Sequence, residues 1–297
     1  MSKVLIHIGF PKAGSTYLQT WFGENPGCFY NGKSIAGFSN AHDISKYAVT
    51  PDPIHEWFVL SNEDLSVWRG EPDIVGLKST KLYDFKGYQS KLCQTLYALY
   101  PGAKVMIITR GCTTLFPSFY SQYLCGGGTS VFSELMQNYG QFFSLGYDYT
   151  HIIELYRSTF NAGNVKVLPY ELLRADPATF ISEIEAWMGI SKPFKITSEK
   201  INASLDNKTL TAYRKVSRLL YQLIKPLPYS FQKYIYGYYM MVLNGKKPHP
   251  FMKFIARFAN NEINLDGLDE VIQTLKGKAE ILRHEEIYQP YLKEYLL

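Results

Sequence analysis

The chain has 297 residues, of which 46% are hydrophobic, and it carries a formal net charge of +5. This length supports one large α/β domain with a sizeable buried core. The basic excess is mild and no dense run of Lys and Arg occurs, so the composition argues against a nucleic-acid partner. An ordinary solvated surface and an anionic ligand both fit this charge.

The four cysteines, Cys28, Cys93, Cys112 and Cys125, form no CxxC pair and show no metal-ligand spacing with histidine. They are typical of reduced thiols, and not of a disulfide framework or a metal centre. An apolar strand pattern begins by residue 3, which leaves no room for a signal peptide. No apolar run approaches the roughly 20 residues that a membrane-spanning helix needs. We therefore expect a cytoplasmic protein without a transmembrane segment.

Short apolar runs alternate with helical stretches over the first 200 residues. The first run, Val4 to Ile8, ends at Gly9, and a helical segment from Ser15 to Phe22 follows. Later strand-like runs cover 57–60, 74–77, 105–108 and 165–168, and helical stretches cover 88–99 and 149–160. This alternation predicts an α/β fold with a P-loop-like central parallel sheet flanked by helices.

Beyond about residue 200 the strand-like runs stop. Residues 205–223 and 268–282 have helical spacing, and a stretch rich in Pro and Tyr, 225–250, separates them. We predict a core over residues 1–200 and a helical C-terminal extension over 201–297 that packs on it, within a single domain.

The first strand leads into a loop suited to an anion. Gly9 to Gly14 has the GxxxxG spacing of a phosphate-binding loop. Ser15-Thr16 follows, however, where a nucleoside triphosphatase has Lys and then Ser or Thr. Backbone N–H groups and the start of the next helix point at one anion in such a loop. Lys12 adds a positive charge from inside it. A tight strand-to-helix connection without a ligand is the alternative.

A kinase would also need Mg²⁺, usually held by the loop hydroxyl and by an Asp at the end of a later strand. The strand-like run 105–108 leads instead into Thr109-Arg110. Arginine at that position suits an anion better than a metal, because its fork grips phosphate oxygens in two places.

Three segments together resemble the PAPS-dependent sulfotransferases, which use 3′-phosphoadenosine 5′-phosphosulfate. Residues 7–18 are similar to the motif that binds the 5′-phosphosulfate. Residues 105–110, followed by Ser118 and Tyr120, are similar to the 3′-phosphate motif, including the interval of eight from Arg110 to Ser118. Residues 168–177 resemble the strand-end segment whose tyrosine, here Tyr170, lies near the adenine. The resemblance covers residues 3–195.

This resemblance implies a metal-independent enzyme that moves the sulfuryl group of PAPS to an acceptor and releases adenosine 3′,5′-bisphosphate. Lys12 then neutralises the bridging oxygen and the 5′-phosphate. The expected donor-binding residues are Pro11, Lys12, Ala13, Gly14, Ser15, Thr16, Tyr17, Arg110, Ser118 and Tyr170.

The sequence offers several candidates for the catalytic base. Sulfotransferases of phenols and steroids carry a Lys-x-His pattern after a second central strand, whereas this chain has Lys78-Ser79-Thr80. Several carbohydrate sulfotransferases use a glutamate, and Glu63 lies at the expected end of a strand, where ligands gather. Glu63 also fits a capping carboxylate at a helix start. Lys78 either assists at the sulfate or ends a strand, and the alternative bases are His7, His42 and His55.

The acceptor is the least determined part. The resemblance favours a bacterial, carbohydrate-sulfotransferase-like enzyme acting on a hydroxyl or amine of a saccharide or glycan, and residues 200–205 resemble a recurring ending of bacterial sulfotransferases. The alternatives are a small alcohol, a lipid-like acceptor, a P-loop kinase or triphosphatase, and a non-catalytic anion-binding module.

The 24 tyrosines suit sugar rings but also ordinary cores. Residues 125–129 fit a substrate loop or a plain turn. Residues 225–250, with Lys246-Lys247, fit a peripheral membrane contact or a cover over an acceptor cleft. The oligomeric state stays open.

Overall fold

The computed structural model describes residues 3–30, 54–66, 84–190, 192–195, 205–243, 249–259, 261 and 263–296. Within these residues, five parallel strands form a sheet in the order β2-β3-β1-β4-β5. The strands are β1 (Lys3–Gly9), β2 (Cys28–Tyr30), β3 (Trp57–Asn62), β4 (Lys104–Thr109) and β5 (Val165–Pro169). The predicted α/β class with a central parallel sheet is confirmed.

Helices connect and cover these strands in the described part of the chain. In chain order they are α1 (Ser15–Glu24), α2 (Phe85–Leu99), α3 (Cys112–Cys125), α4 (Phe132–Gly146), α5 (Tyr149–Phe160), α6 (Tyr170–Ala175), α7 (Pro177–Met188), α8 (Asn207–Ile224), α9 (Tyr229–Leu243), α10 (Pro250–Ala256) and α11 (Leu268–Gln273). Short 3-10 segments follow β3 at Glu63–Leu65 and close the described chain at Glu280–His284 and Glu286–Glu294.

The strand register brings the carboxyl ends together at one edge of the sheet. Ile8 of β1 pairs with Asn62 of β3, and Gly9 pairs with Ile108 of β4. β1 is central, and the chain crosses from β3 on one side of it to β4 on the other. Open α/β sheets bind ligands at such a topological switch point. The residues that follow β1, β3, β4 and β5 therefore share one site.

The strands are apolar because the sheet is buried on both faces. Leu5, Ile6 and Ile8 of β1 are fully buried, as are the apolar residues of β4. The main core also includes Tyr288 and Tyr295, which lie far along the chain. A smaller cluster forms where α8 meets α10, from Ala212, Tyr213, Met252 and Ala256.

Most of the predicted elements are present, with three differences. β2 was not predicted, because three residues are too short to show a pattern. The predicted helix over 268–282 is wrong beyond Gln273, because the N–H groups of residues 274–276 bond to carbonyls three residues back and Gly277, with a φ of 78°, then leaves the helical region. The Pro- and Tyr-rich stretch contains α9 and the start of α10. The predicted strand over 74–77 lies outside the described residues.

Among the helices of the described ranges, none is both long and apolar enough to cross a membrane.

Candidate active site

The loop between β1 and α1 has an unusual backbone. Lys12 has a φ of 69° and Gly14 a φ of 84°, so both lie in the left-handed region. This region is costly for a residue with a side chain. The Ala13 N–H donates to the carbonyl of Phe10 at 3.0 Å, which closes a tight turn at the end of β1. The strained backbone at Lys12 sits at the switch point of the sheet, as strain at a functional site often does.

Gly14 allows a close approach between this loop and the segment after β5. A Cβ atom on Gly14 would lie 2.6 Å from Leu173 Cδ2 and 3.2 Å from Tyr170 Cδ2. Any other residue would therefore separate the loop from α6. Gly14 also begins α1 without a side-chain cap. The N–H groups of Ser15 and Thr16 are left without an intrahelical acceptor at this end.

The residues of the loop differ in their exposure. Pro11, Ala13 and Ser15 are buried, Lys12 and Tyr17 are half-buried, and Thr16 is exposed. The Ser15 hydroxyl is buried and has no hydrogen-bond partner among the described residues. Burial without a partner costs free energy, so a ligand that accepts from this hydroxyl would be favoured.

Arg110 joins the loop to the ends of β4 and β5. Its Nη1 donates to the backbone carbonyl of Lys12 at 2.6 Å, and its Nε donates to Thr114 Oγ1 at 3.0 Å. Its guanidinium carbon lies 4.4 Å from the ring centroid of Tyr170. A cation over an aromatic face gains electrostatic energy, and more so when partly desolvated. The guanidinium is thereby held between the loop and the Tyr170 ring.

The charge of Arg110 is not neutralised by an ion pair with a described carboxylate. Burial lowers the pKa of its guanidinium, while the nearby phenol of Tyr170 and carboxylate of Glu171 oppose that effect. A desolvated cation of this kind gains from a bound anion. The site therefore favours a negatively charged group beside Arg110.

A buried network of hydrogen bonds holds the backbone around Arg110 in place. Tyr149 Oη donates to the Arg110 carbonyl at 2.8 Å. The Gly111 N–H donates to Glu171 Oε1 at 3.0 Å, and Tyr295 Oη donates to Glu171 Oε2 at 2.5 Å. Fully satisfied buried networks hold a site rigid.

Ser118, the predicted second residue of the 3′-phosphate motif, lies on the same helix as Thr114, and its role stays a prediction. It is half-buried on α3, four residues beyond Thr114. Residues four apart share one helix face. The hydroxyl of Ser118 therefore lies one turn beyond the bond between Arg110 and Thr114.

Glu63 directly follows β3 and begins the 3-10 segment. Ser66 Oγ donates both to the Glu63 carbonyl at 2.9 Å and to the Gly9 carbonyl at 3.0 Å. These bonds tie the end of β3 to the end of β1, next to the loop. Glu63 is half-buried there. Its predicted place at a strand end is confirmed, and its role stays a prediction.

Two of the alternative bases lie in unsuitable places. His7 is fully buried, its Nδ1 lies 2.7 Å from Ser61 Oγ, and burial lowers its pKa to about 3. It is therefore neutral at ordinary pH and shielded from any acceptor. His55 precedes β3, at the opposite edge of the sheet from the loop. Lys78 and His42 lie outside the described residues.

The structure thus brings Lys12, Gly14, Arg110 and Tyr170 together. Glu63 follows the neighbouring strand β3, and Ser118 lies on α3 one turn beyond Thr114. The sequence analysis missed Thr114, Tyr149 and Glu171. Thr114 had a usable signal, because it lies four residues after Arg110. Tyr149 had none, since it reaches the site from the start of a distant helix.

Known proteins were compared with this chain by family, by sequence and by structure. No family model matches it, and a search of curated proteins finds no significant match. Among solved structures, the crystal structure of a sulfotransferase from Alicyclobacillus acidocaldarius is similar, with 19% sequence identity and a TM-score of 0.46. The match covers 78% of this chain and 99% of that chain. At this level of similarity the match carries no weight for the chemistry of the chain.

Proposed function

We propose that the chain is a sulfotransferase that transfers the sulfuryl group of PAPS to a hydroxyl group of an acceptor. The observation that carries this proposal is the contact of Arg110 with both the carbonyl of Lys12 and the ring of Tyr170. One cation thereby links an anion-binding loop to an aromatic face. A donor with an anion at each end of an adenosine suits this arrangement.

The described residues fit such a donor. The loop from Pro11 to Tyr17 offers the unpartnered hydroxyl of Ser15 and the open N-terminus of α1 to the 5′-phosphosulfate. Arg110 and Ser118 are assigned to the 3′-phosphate. The Tyr170 ring, which already stacks on Arg110, is assigned to the adenine.

In the proposed reaction, an acceptor oxygen attacks the sulfur atom in line with the leaving oxygen. The bond from sulfur to the bridging phosphate oxygen breaks, and adenosine 3′,5′-bisphosphate leaves. Lys12 stabilises the negative charge that develops on that oxygen. Glu63 takes the proton of the acceptor hydroxyl. Lys78, the third predicted catalytic residue, is assigned a supporting role at the sulfate.

A cavity of about 650 Å³ between α3 and α8 is our candidate for the acceptor. Its wall is rich in hydrogen-bonding side chains, as a saccharide requires. The end of α3 brings this cavity towards the loop, because the charge of Lys12 acts on the thiol of Cys125, which directly follows the lining residue Leu124. The lining residues are Tyr120, Leu124, Asn207, Thr211, Arg214, Lys215, Ile263, Asn264, Leu265 and Asp266.

A phosphoryl transferase is the second candidate, and one observation favours it. β3 is the strand next to β1, and its end carries the carboxylate of Glu63. An acidic residue after the strand beside a phosphate loop commonly helps to hold Mg²⁺. Ser15, which stands where such a phosphate loop has its lysine, and the arginine after β4 count against this candidate.

Calorimetric titration of the full chain separates the two candidates. We expect tight binding of adenosine 3′,5′-bisphosphate that persists in a chelator, and weak binding of ATP with or without Mg²⁺. A preference for ATP that requires Mg²⁺ would reject the sulfotransferase. A screen of saccharides, small alcohols and lipids with labelled PAPS then tests the acceptor, and Arg214→Met should raise the acceptor KM while leaving donor affinity unchanged.

A further inference from the structure

The described residues between Leu219 and Phe258 are unusually rich in exposed apolar side chains. Of the thirteen large exposed hydrophobic side chains in the described residues, eleven belong to this segment. Tyr234 and Phe258 are 76% and 75% exposed. The eleven are Leu219, Leu223, Leu227, Tyr229, Phe231, Tyr234, Tyr238, Met241, Phe251, Phe254 and Phe258. We call this set the apolar surface. Large exposed apolar patches mark interaction sites.

The members of the apolar surface follow helical spacing. Leu219 and Leu223 are one turn apart on α8. On α9, Tyr234, Tyr238 and Met241 fall at positions i, i+4 and i+7, which places them on one face. Each helix thus presents a stripe to the outside. Scattered single residues would show no such spacing.

The opposite faces of these helices are already occupied. Ser217 of α8 and Tyr239 of α9 share a hydrogen bond of 2.9 Å between their hydroxyls. Tyr236 of α9 is buried, and its hydroxyl donates to the carbonyl of Gly127 in the turn after α3. The helices are therefore packed on the protein through their inner faces. Among the described residues, none packs over the outer, apolar faces enough to bury them.

Basic residues are concentrated in the same part of the chain as the apolar surface. Residues 205–259 contain ten Lys and Arg but only one acidic residue, Asp206, which caps α8. The whole chain has 31 basic and 26 acidic residues, so the remaining residues hold 21 basic and 25 acidic ones. The positive charge is thus concentrated where the exposed hydrophobic residues are. Lys225, Lys233 and Arg257 are exposed among them.

We infer that this region binds the surface of a membrane rich in anionic phospholipids. Helices with aromatic and aliphatic residues on one face and Lys or Arg beside them lie in the membrane interface. Each nearby basic residue adds about 1 kcal/mol of attraction to an anionic leaflet. A nucleic acid would use the charges but would leave the leucines and phenylalanines exposed. A second copy of this chain would bring equal positive charges together.

Co-sedimentation of the full chain with vesicles tests this inference. We expect binding to vesicles with about 30% phosphatidylglycerol or phosphatidylserine, little binding to pure phosphatidylcholine, and weakening as salt rises. The variant Lys225→Glu/Lys233→Glu/Arg257→Glu should lower the partition coefficient at least tenfold. Tyr234→Ser/Met241→Ser should lower it by a similar factor even in low salt, because the apolar anchor is lost.

Matched control variants come from outside this region. Ile54, which is 85% exposed, and the exposed Lys91 lie elsewhere on the molecule. Ile54→Ser and Lys91→Glu should leave vesicle binding unchanged. The inference would be overturned if the wild type did not bind anionic vesicles. It would also be overturned if the charge-reversal variant and the Tyr234→Ser/Met241→Ser variant bound them as well as the wild type does. A dimer in light scattering that the Tyr234→Ser/Met241→Ser variant abolishes without any vesicle binding would overturn it too.

Discussion

Arg110 donates a hydrogen bond of 2.6 Å from Nη1 to the backbone carbonyl of Lys12. This bond turns the Lys12 carbonyl towards the end of β4 and accompanies its left-handed backbone. Arg110 and Lys12, the two cationic residues proposed to bind PAPS, are therefore coupled, because the guanidinium of Arg110 positions the main chain of Lys12.

Replacement of Arg110 should weaken recognition of the 3′-phosphate. Arg110→Lys keeps the charge but loses the planar fork and the stack on Tyr170. We expect calorimetry to show affinity for adenosine 3′,5′-bisphosphate lowered by about 10- to 100-fold, the scale of one or two hydrogen bonds to a charged group. Affinity for adenosine 5′-monophosphate should change far less. Arg174→Lys is the control, since Arg174 is exposed on the neighbouring α6. Equal losses for both nucleotides would remove the 3′-phosphate assignment.

Removal of the Lys12 side chain should abolish transfer without unfolding the protein. Lys12→Ala keeps the same backbone strain, so we expect a melting temperature close to that of the wild type and a fall in kcat of at least about 10². Lys12→Gly serves as the comparison, because glycine adopts a φ of 69° without strain. It should be equally inactive. Recovery of turnover in the glycine variant would show that backbone geometry, and not the ammonium, limits the reaction.

Glu63→Gln tests the proposed base. The amide keeps the size of the side chain at the end of β3 but cannot accept the acceptor proton, so kcat should fall about 10²-fold or more. The acidic limb of the pH–rate profile should disappear at the same time, whereas a purely structural role would leave the profile in place. Binding of adenosine 3′,5′-bisphosphate should be unaffected. If the wild type binds a nucleotide only with Mg²⁺ and the Glu63→Gln variant loses that binding, the result would instead support the phosphoryl transferase.

His7 should make the folded protein sensitive to mild acid. Burial lowers its pKa to about 3 from an ordinary value of 6.5, so the unfolded chain takes up the proton first as the pH falls. The contribution of the neutral His7 to the free energy of unfolding is fully present above pH 6.5. It is lost as the pH falls towards 3, by up to about 1.4 kcal/mol per pH unit. Urea unfolding of His7→Asn at pH 6.5, 5.5 and 4.5 should show a flatter decline than the wild type. His284→Asn, at an exposed position, should follow the wild type.

The fold and much of the site were accessible from the sequence because their signals are local. β1, the loop and α1 follow one another directly, so Gly9, Lys12 and Gly14 could be placed without tertiary information. Arg110 and Tyr170 could be placed because each directly follows a strand, and parallel strands end at the same edge. Glu63 was located by the same argument.

The parts that were missed depend on long-range contacts. Tyr149 reaches Arg110 from the first residue of α5, and no spacing in the sequence relates them. The role of Glu171 becomes visible only when Tyr295 is seen to donate to it. α9 was concealed by its composition, since tyrosines and a glycine weaken the helical signal although its neighbours stabilise it.

The network under Arg110 also has a consequence for the order in which the molecule is made. Thr109 and Glu171 are bonded to Tyr288 and Tyr295, which follow them in the chain by 179 and 124 residues respectively. During synthesis, chain segments emerge in sequence order at about 5–20 residues per second. The five described strands have all emerged once β5 is made, but the phenol of Tyr295, which donates to the buried carboxylate of Glu171, has not yet been translated. A ribosome stalled before residue 288 should therefore display a folded sheet in which the backbone around Arg110 is not yet held in place.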